Sequence, residues 1–274
     1  MARLTNRLLI RKLAVAVVAS TVLVSSASAV DWTVFEGTAR GFPVLRDPSG
    51  KKLADGDFAQ WIDGSQLHVR IRWEYAGGRN AEETAVFRQA PQLIQDRYSL
   101  RELRDGKLLR RFEVDFTSAT ATAEKQEEKG LERWSEKVDV EPGRTFSGFG
   151  FAMAIKGLRS RLVAGEQVEL KAVGFTPKPR VVAVAISHGG VDRIRMAQRT
   201  LTADRFILHA KVPWIAQFFI DVPDTRIWLT SPPPAGFLRW EGPFAEPGDP
   251  VVRVDLLPGT ESGPAEPTKA NRIE

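Results

Sequence analysis

The fold class is decided by Leu67-His68-Val69-Arg70-Ile71-Arg72-Trp73-Glu74-Tyr75 (residues 67–75), in which apolar and polar residues alternate without a break. Such alternation is typical of an antiparallel strand with one buried face. Asp63-Gly64 just before it predicts a hairpin turn, so residues 58–62 are the expected partner strand. Ala76-Gly77-Gly78 ends the strand. This stretch therefore predicts a mainly β protein.

A second hairpin follows the first. Residues 97–104 and 108–116 are joined by Asp105-Gly106, which favours a type I′ turn. The second of these strands has one apolar face, formed by Leu108, Phe112, Val114 and Phe116.

The next stretch breaks this regularity. The alanines of residues 117–123 (TSATATA) have the opposite parity from the phenylalanines, which predicts either a bulge or a strand with a shallow inward face. The charged residues 124–129 predict an exposed connection, with a solvated turn favoured over a short helix. Residues 131–140 resume strand character.

One segment, residues 144–166, fits a sheet poorly. Its large apolar residues approximate a helical stripe, although three glycines weaken the pattern. These apolar residues are Phe149, Met153, Ile155, Leu158 and Leu162. We expect one short helix within residues 150–164.

The C-terminal half returns to strands. Residues 181–186 (VVAVAI) are apolar on both faces, which predicts a strand covered on both sides. Ser187-His188-Gly189-Gly190 predicts a turn, and residues 213–219 predict one helical turn that starts at Pro213. Further strands are expected at residues 168–175, 191–198, 205–211, 225–230, 237–241 and 251–257. The pattern predicts about a dozen strands in a meandering antiparallel sheet.

The two ends of the chain have different compositions from the middle. Residues 1–29 combine four basic residues, a short apolar run and Ala27-Ser28-Ala29, the parts of a cleaved secretory signal peptide read by the Sec export machinery. An uncleaved anchor is the alternative, but the run is shorter than the about 20 apolar residues of a membrane span. We expect a single β domain over residues 30–258 and a disordered tail at 259–274.

Charge and cysteine content exclude several functions. The whole chain has a net charge of +5, but residues 30–274 carry 35 basic and 34 acidic residues, which gives no support for nucleic-acid binding. The chain contains no cysteine, which excludes disulfides, thiolate metal sites, a cysteine nucleophile and a lipidated cysteine anchor. The sequence therefore predicts a soluble periplasmic or secreted bacterial protein.

The organisation resembles that of exported bacterial β-sheet proteins of unknown function. More distantly, it is similar to the half-barrels of periplasmic lipoprotein carriers and to lipocalin-like barrels. The resemblance rests on the signal peptide, the long meander, one helix after the middle, and a late hairpin, RIWLT…FLRWEG. It implies a single strongly curved antiparallel sheet, or a partly open barrel, around an apolar concavity with the helix in it.

Catalytic and metal motifs give little support for an enzyme. Ser187, His188 and Asp192 are adjacent, whereas members of a catalytic triad converge from separate segments, so a hairpin turn is favoured there. No G-x-S-x-G, H-E-x-x-H or C-x-x-C pattern occurs, and turn formation explains Asp55-Gly56-Asp57. We predict no catalytic residue, no metal ligand and no cofactor.

Aromatic residues are the candidates for a ligand site. An apolar cavity is lined by such side chains, although core packing is the favoured explanation for any single one of them. The candidates are Trp73, Trp134, Trp214, Phe218, Trp228 and Trp240. The intervening Ser231-Pro232-Pro233-Pro234-Ala235-Gly236 predicts a stiff connector between two strands.

Three functions remain open. The first is a non-enzymatic protein that binds a lipid or another apolar ligand on the concave face of its sheet. The second is a cell-envelope protein that contacts or assembles another protein through a strand edge or loops. The third is a hydrolase whose site requires a histidine, a carboxylate and a hydroxyl in one pocket.

Overall fold

The computed structural model describes residue 30 and residues 35–196, 199–211 and 222–258. Within them, fifteen strands form one sheet and one helix lies beside it. The strands are β1 (Ala39–Arg46), β2 (Lys52–Asp63), β3 (Gln66–Tyr75), β4 (Arg79–Arg88), β5 (Ile94–Arg104), β6 (Lys107–Asp115), β7 (Thr120–Glu127), β8 (Gly130–Lys137), β9 (Thr145–Phe146), β10 (Val168–Phe175), β11 (Pro179–Met196), β12 (Arg199–Lys211), β13 (Thr225–Thr230), β14 (Phe237–Pro243) and β15 (Val251–Pro258). The helix is α1 (Gly150–Val163).

The sheet is an open meander. Its order is β8-β7-β6-β5-β4-β3-β2-β1-β15-β14-β13-β12-β11-β10-β9. All neighbours are antiparallel except the short β9, which pairs in parallel with β10. Because β1 pairs with β15, the two halves of the meander join in the middle of the sheet and leave β8 and β9 as its edges.

The sheet is strongly curved, so that its two ends pack together. Phe112 of β6, third from one edge, stacks on Phe175 of β10, second from the other edge, with ring centroids 4.4 Å apart. Lys178, after β10, lies 2.9 Å from Glu136 of the edge strand β8. The fold class expected from sequence is therefore confirmed as an open, strongly curved antiparallel sheet.

Helix α1 fills one half of the concavity. Residues 150–155 are all buried, and the helix packs against Leu67 and Phe87 on one side and Leu170 and Phe206 on the other. A helical segment that is buried on every side lies inside a core, so the first half of α1 is a core segment, whereas Ser160 and Val163 near its end are exposed. The predicted helix is confirmed almost to the residue.

Salt bridges join the helix to both walls. Nε of Arg159 donates to Asp204 of β12 at 2.9 Å, and Nζ of Lys156 lies 2.5 Å from Glu36, before β1. Both carboxylates are largely buried, with side-chain exposures of 3% and 15%. Since removing one partner of a buried pair leaves an unpaired charge, these contacts fix the position of α1.

Three local predictions were wrong. The Ser187–Gly190 segment is a bulge within the continuous strand β11, because His188 and Gly190 pair with successive residues Phe206 and Arg205 of β12. The parity change at Ala121 and Ala123 comes from a chain reversal at residues 116–119, where Ala119 has a φ of 52°. Both alanines face inward in a new strand, β7, which also takes in part of the charged run at 124–129.

The proline-rich segment joins β13 to β14, as expected. Thr230 closes it, since its amide donates to the Gly236 carbonyl at 2.8 Å and its hydroxyl oxygen accepts from the Gly236 amide at 2.7 Å. The predicted signal peptide, the tail and the helical turn at residues 213–219 lie outside the described residues.

Candidate functional site

A cavity of about 250 Å³ occupies the part of the concavity that α1 leaves unfilled. It lies between the start of α1 and one end of the sheet, which we call the rim. The rim is formed by residues 47–51, 76–78, 105–106 and 244–250. The cavity volume lies between an engineered cavity of about 150 Å³ that binds benzene and the roughly 300–1,000 Å³ typical of small-molecule sites.

The cavity wall is mainly apolar and aromatic. Antiparallel strands from both halves of the sheet contribute, and the turn before α1 closes the inner end. The aromatic lining side chains are Trp73, Tyr98, Phe149, Phe151, Phe175, Phe237, Trp240 and Phe244. An apolar wall binds water weakly, so an apolar molecule can displace that water at low cost. Sites for apolar ligands are usually lined in this way.

One ionisable pair lines this apolar space. Glu83 lies on the inward face of β4 and pairs with Leu100 of the neighbouring strand β5. Tyr98 also lies on β5, two residues before Leu100. The Glu83 carboxylate shares a hydrogen bond with the Tyr98 side chain and accepts one from the Phe149 backbone N–H. Burial raises the pKa of Glu83 to about 7, although both hydrogen bonds act in the opposite direction.

The tyrosine of this pair stays protonated. Burial and the neighbouring Glu83 raise the pKa of Tyr98 well above its usual value near 10. Near neutral pH the pair is therefore poised between a neutral form and a singly charged form, and Glu83 is the group that changes. A carboxyl with a pKa near 7 inside a cavity is a feature found at binding and catalytic sites.

The turn before α1 is held in place by Gln95. Its side-chain oxygen accepts from the Ser147 amide at 2.8 Å, and its nitrogen donates to the Ser147 carbonyl at 3.1 Å. The Ser147 hydroxyl donates to the Val173 carbonyl at 2.8 Å, which ties the turn to β10. These bonds fix the Phe149 N–H where it meets Glu83.

Gly148 is required at the centre of that turn. Its φ is +49°, in the left-handed region that favours glycine. A Cβ there would lie 2.2 Å from Oε1 of Glu83 and 2.3 Å from Cε2 of Tyr98. The bare backbone at this position therefore makes room for the polar pair.

At the rim, the β14–β15 connection (residues 244–250) crosses to the other half of the sheet. Arg110 of β6 donates to Glu246 at 2.8 Å and to Asp249 at 3.0 Å, and its Nε donates to Glu102 at 2.9 Å. Burial alone would raise the pKa of Asp249, but the hydrogen bond and charge of Arg110 lower it. This network holds Phe244, which lines the cavity, in place.

The predicted ligand residues separate into three groups. Trp73 and Trp240 line the cavity. Trp134 packs against the Phe112–Phe175 cluster at the closing ends of the sheet, and Trp228 lies in a separate cluster with its Nε1 donating to Asp192 at 2.7 Å. Trp214 and Phe218 lie outside the described residues.

Sequence reasoning missed Glu83 and Tyr98, the ionisable pair of the cavity. A pattern that could have revealed Glu83 is present, since Ala81, Glu83, Ala85 and Phe87 share one parity and the other three are apolar and buried. Strand β4 was not predicted, so this parity was not used.

A histidine, a carboxylate and a hydroxyl come together elsewhere, at the far end of α1. Asp204 accepts from Arg159 and lies 3.4 Å from Nε2 of His188, while Arg159 also lies 3.1 Å from the Ser231 hydroxyl. Asp204 is thus engaged by a guanidinium rather than by the imidazole, and none of the four residues lines the cavity. The arrangement anchors the helix.

The described residues contain no group of three or more His, Asp or Glu side chains arranged to hold a metal ion. They also contain no helix with the length and hydropathy needed to cross a membrane.

Comparisons with known proteins give no family for the chain. No protein-family model matches it, and no curated protein matches it. A solved structure that resembles it is the crystal structure of the hypothetical lipoprotein YmcC from Escherichia coli (K12). The two are 8% identical over 83% of this chain and 92% of that one, with a TM-score of 0.33.

Proposed function

We propose that this chain is a non-enzymatic, exported periplasmic protein that binds a lipid-like apolar ligand in the cavity between α1 and the rim. The observation that carries the proposal is the aromatic cavity of about 250 Å³ left open beside a buried helix. Close packing normally fills such space, because an unfilled apolar cavity of this size destabilises a core. Export is inferred from the sequence of residues 1–29.

The polar pair suits a ligand that is mainly apolar. With a pKa of about 7, Glu83 is neutral below neutral pH and its hydrogen bonds to Tyr98 and Phe149 are already made. A neutral, satisfied carboxyl can be covered by an acyl chain at much lower cost than a carboxylate. One polar group in an apolar site also fixes the orientation of the bound chain.

The other two candidate functions have less support. The edge strand β8 carries Glu132, Arg133, Glu136 and Lys137, and a charged edge disfavours the addition of a partner strand. The hydrolase expected from the sequence needs a histidine, a carboxylate and a hydroxyl in one pocket, and the described residues that line the cavity include no histidine.

A binding titration with a cavity-filling variant tests the proposal. A Cβ on Gly174, which lines the cavity, would meet no atom within 4 Å, so Gly174→Leu should occupy ligand space without a clash at Cβ. The matched control is Gly37→Leu, since Gly37 is exposed before β1 and also has open space at its Cβ. The probe is Nile red, a neutral apolar dye, displaced by dodecanol.

We expect the wild type and Gly37→Leu to bind the dye and release it to dodecanol, and Gly174→Leu to bind at least tenfold more weakly. Absence of displaceable dye from the wild type, or equal binding by the two variants, would contradict the proposal. Native mass spectrometry of protein purified from its own host should in addition detect a co-purifying apolar molecule.

A further inference from the structure

A second, basic pocket lies at the rim, next to the apolar cavity. Its volume is about 580 Å³. Three adjacent connections build it, because the β1–β2, β3–β4 and β5–β6 turns of an antiparallel meander share one end of the sheet. They bring together Lys51 and Lys52, Arg79 at the start of β4, and Arg104 at the end of β5.

The lining of this pocket contains four cations and no carboxylate. Lys52 is paired with Asp55 at 2.9 Å, and Nε of Arg79 with Glu102 at 2.6 Å. Lys51 and Arg104 are exposed and have no ion pair within the described part of the chain. Two of the four cations in the pocket lining are therefore without an ion-pair partner in the described chain.

Strand β3 connects the basic pocket to the apolar cavity. Trp73 lines the cavity and Tyr75, the next residue on the same face, lines the basic pocket. Residues two apart on a strand are separated by about 7 Å. The wall between them is the contact of Tyr75 with Phe244, whose ring centroids are 6.4 Å apart.

Tyr75 also orients one of the cations. The guanidinium carbon of Arg79 lies 4.3 Å from the centre of the Tyr75 ring, and Glu102 holds its Nε. Burial raises the pKa of Tyr75 to about 12, so its hydroxyl remains a hydrogen-bond donor. A guanidinium fixed in this way, with ammonium groups beside it, offers charge-assisted hydrogen-bond donors of the kind that phosphate oxygens accept.

We propose that the basic pocket binds a phosphate-type anionic group, and that the ligand of the combined site is an anionic amphiphile with its apolar chain in the cavity. The second half of this statement rests on the proposed function. The first half does not, because the pocket can bind a free phosphate without any chain in the cavity.

The experiment compares three probes by isothermal titration calorimetry at low ionic strength, where exposed charges are least screened. The probes are dodecyl phosphate, dodecanol and inorganic phosphate. The test variant is Lys51→Gln/Arg104→Gln. The matched control is Arg193→Gln/Arg195→Gln, which removes the same charge from exposed residues of β11 that line neither pocket.

We expect dodecyl phosphate to bind the wild type about tenfold more tightly than dodecanol, since two charge-assisted contacts are gained. The test variant should lose that advantage and the control should keep it. A different result would be that inorganic phosphate binds, that only the test variant loses this binding, and that dodecyl phosphate binds no more tightly than dodecanol. The anion recognised by the pocket would then be free phosphate and not the headgroup of an amphiphile.

Two results separate the proposals. Equal affinity for dodecyl phosphate and dodecanol, with no phosphate binding, would overturn the anion site and leave apolar binding intact. Phosphate binding that depends on Lys51 and Arg104, without binding of either amphiphile, would instead refute the apolar cavity as a ligand site. If both variants lose the tighter binding of dodecyl phosphate relative to dodecanol, the effect comes from the net charge of the protein, and the basic pocket is rejected as the anion site.

Discussion

The backbone of Gly148 lies against the carboxyl of Glu83, so closely that a Cβ on this glycine would stand 2.2 Å from Oε1. Gly148 precedes α1, and Glu83 lies in β4, on the other wall of the cavity. This contact links the position of the turn before α1 to the position of the Glu83–Tyr98 pair.

Gly148→Ala should therefore destabilise the protein and disturb the cavity. The substitution combines a methyl clash with a φ of +49°, and strain of this kind costs about 1–3 kcal/mol. Urea denaturation measures the loss of stability, and the Nile red titration measures the loss of binding. Gly174→Ala, which meets no atom at its Cβ, is the control and should change the free energy of unfolding by less than about 1 kcal/mol. Equal costs for the two would show that the turn is not constrained.

The pH dependence of stability should reveal Glu83. Its pKa is raised from 4.5 to about 7 in the folded protein, so between these values the folded state binds more protons than the unfolded state. Stability due to this group is therefore complete below about pH 4.5, falls as the pH rises to about 7, and is then constant. The loss is at most about 3 kcal/mol.

Glu83→Gln should remove this component and stabilise the protein relative to wild type above pH 7. Denaturant midpoints measured from pH 4 to 9 give the comparison. Glu74→Gln, on the exposed face of β3, controls for the loss of one carboxylate. The interpretation fails if Glu83→Gln and Glu74→Gln have parallel pH profiles.

Parts of this fold could be predicted from sequence because the local pattern and the tertiary environment agree. The alternation from Leu67 to Trp73 predicts the buried face of β3, and Asp105-Gly106 forms the expected turn with φ values of 51° and 76°. Helix α1 was predicted despite its glycines, since its large apolar residues approximate a helical stripe, and Met153, Ile155, Leu158 and Leu162 are all buried.

Other parts depend on contacts that sequence patterns do not specify. A glycine-rich Ser187–Gly190 segment suits a turn and a bulge equally well, and pairing with β12 decides for the bulge. Trp73 and Trp134 both lie on strands, but curvature places one at the cavity and the other at the closing ends. The aromatic lining of the cavity was therefore predicted only in part.

Arg110 should be one of the most costly residues to replace. Arg110 and its partners Glu102 and Glu246 have side-chain exposures of 9%, 4% and 7%. In the described chain, Arg110→Met leaves Asp249 without a cation, and leaves Glu102 and Glu246 with one cation each instead of two. We expect a loss of about 3–5 kcal/mol in the free energy of unfolding. Arg111→Met, at a 36% exposed neighbour whose nearest carboxylate is 3.5 Å away, should cost less than about 1 kcal/mol.

The same variant tests whether the network holds the rim. Hydrogen exchange of residues 244–250 should become faster in Arg110→Met under conditions where the fold is intact, because the β14–β15 connection loses its contact with β6. Adding Asp249→Asn to Arg110→Met should recover part of the stability, since the carboxylate that has lost its cation is then removed. If the hydrogen-exchange rates of residues 244–250 do not change, Arg110 stabilises the fold without holding the rim in place.

Ligand affinity should depend on pH through Glu83, and in a direction that the cavity dictates. A neutral apolar ligand displaces water from the carboxyl, which raises its pKa further in the complex because the charged form loses solvation. Binding is then strongest where Glu83 is protonated, below about pH 7, and weakens above it. The dissociation constant rises at most about tenfold per pH unit until the pKa of the complex is passed.

Nile red titrations from pH 5 to 9 measure this dependence for wild type and Glu83→Gln. The glutamine cannot ionise, so its affinity should stay constant across the range and match that of the wild type at pH 5. A wild-type affinity that is independent of pH would mean that the bound ligand leaves Glu83 in contact with water. An equal pH dependence in both proteins would assign it to another group, and the carboxyl would then have no part in the site.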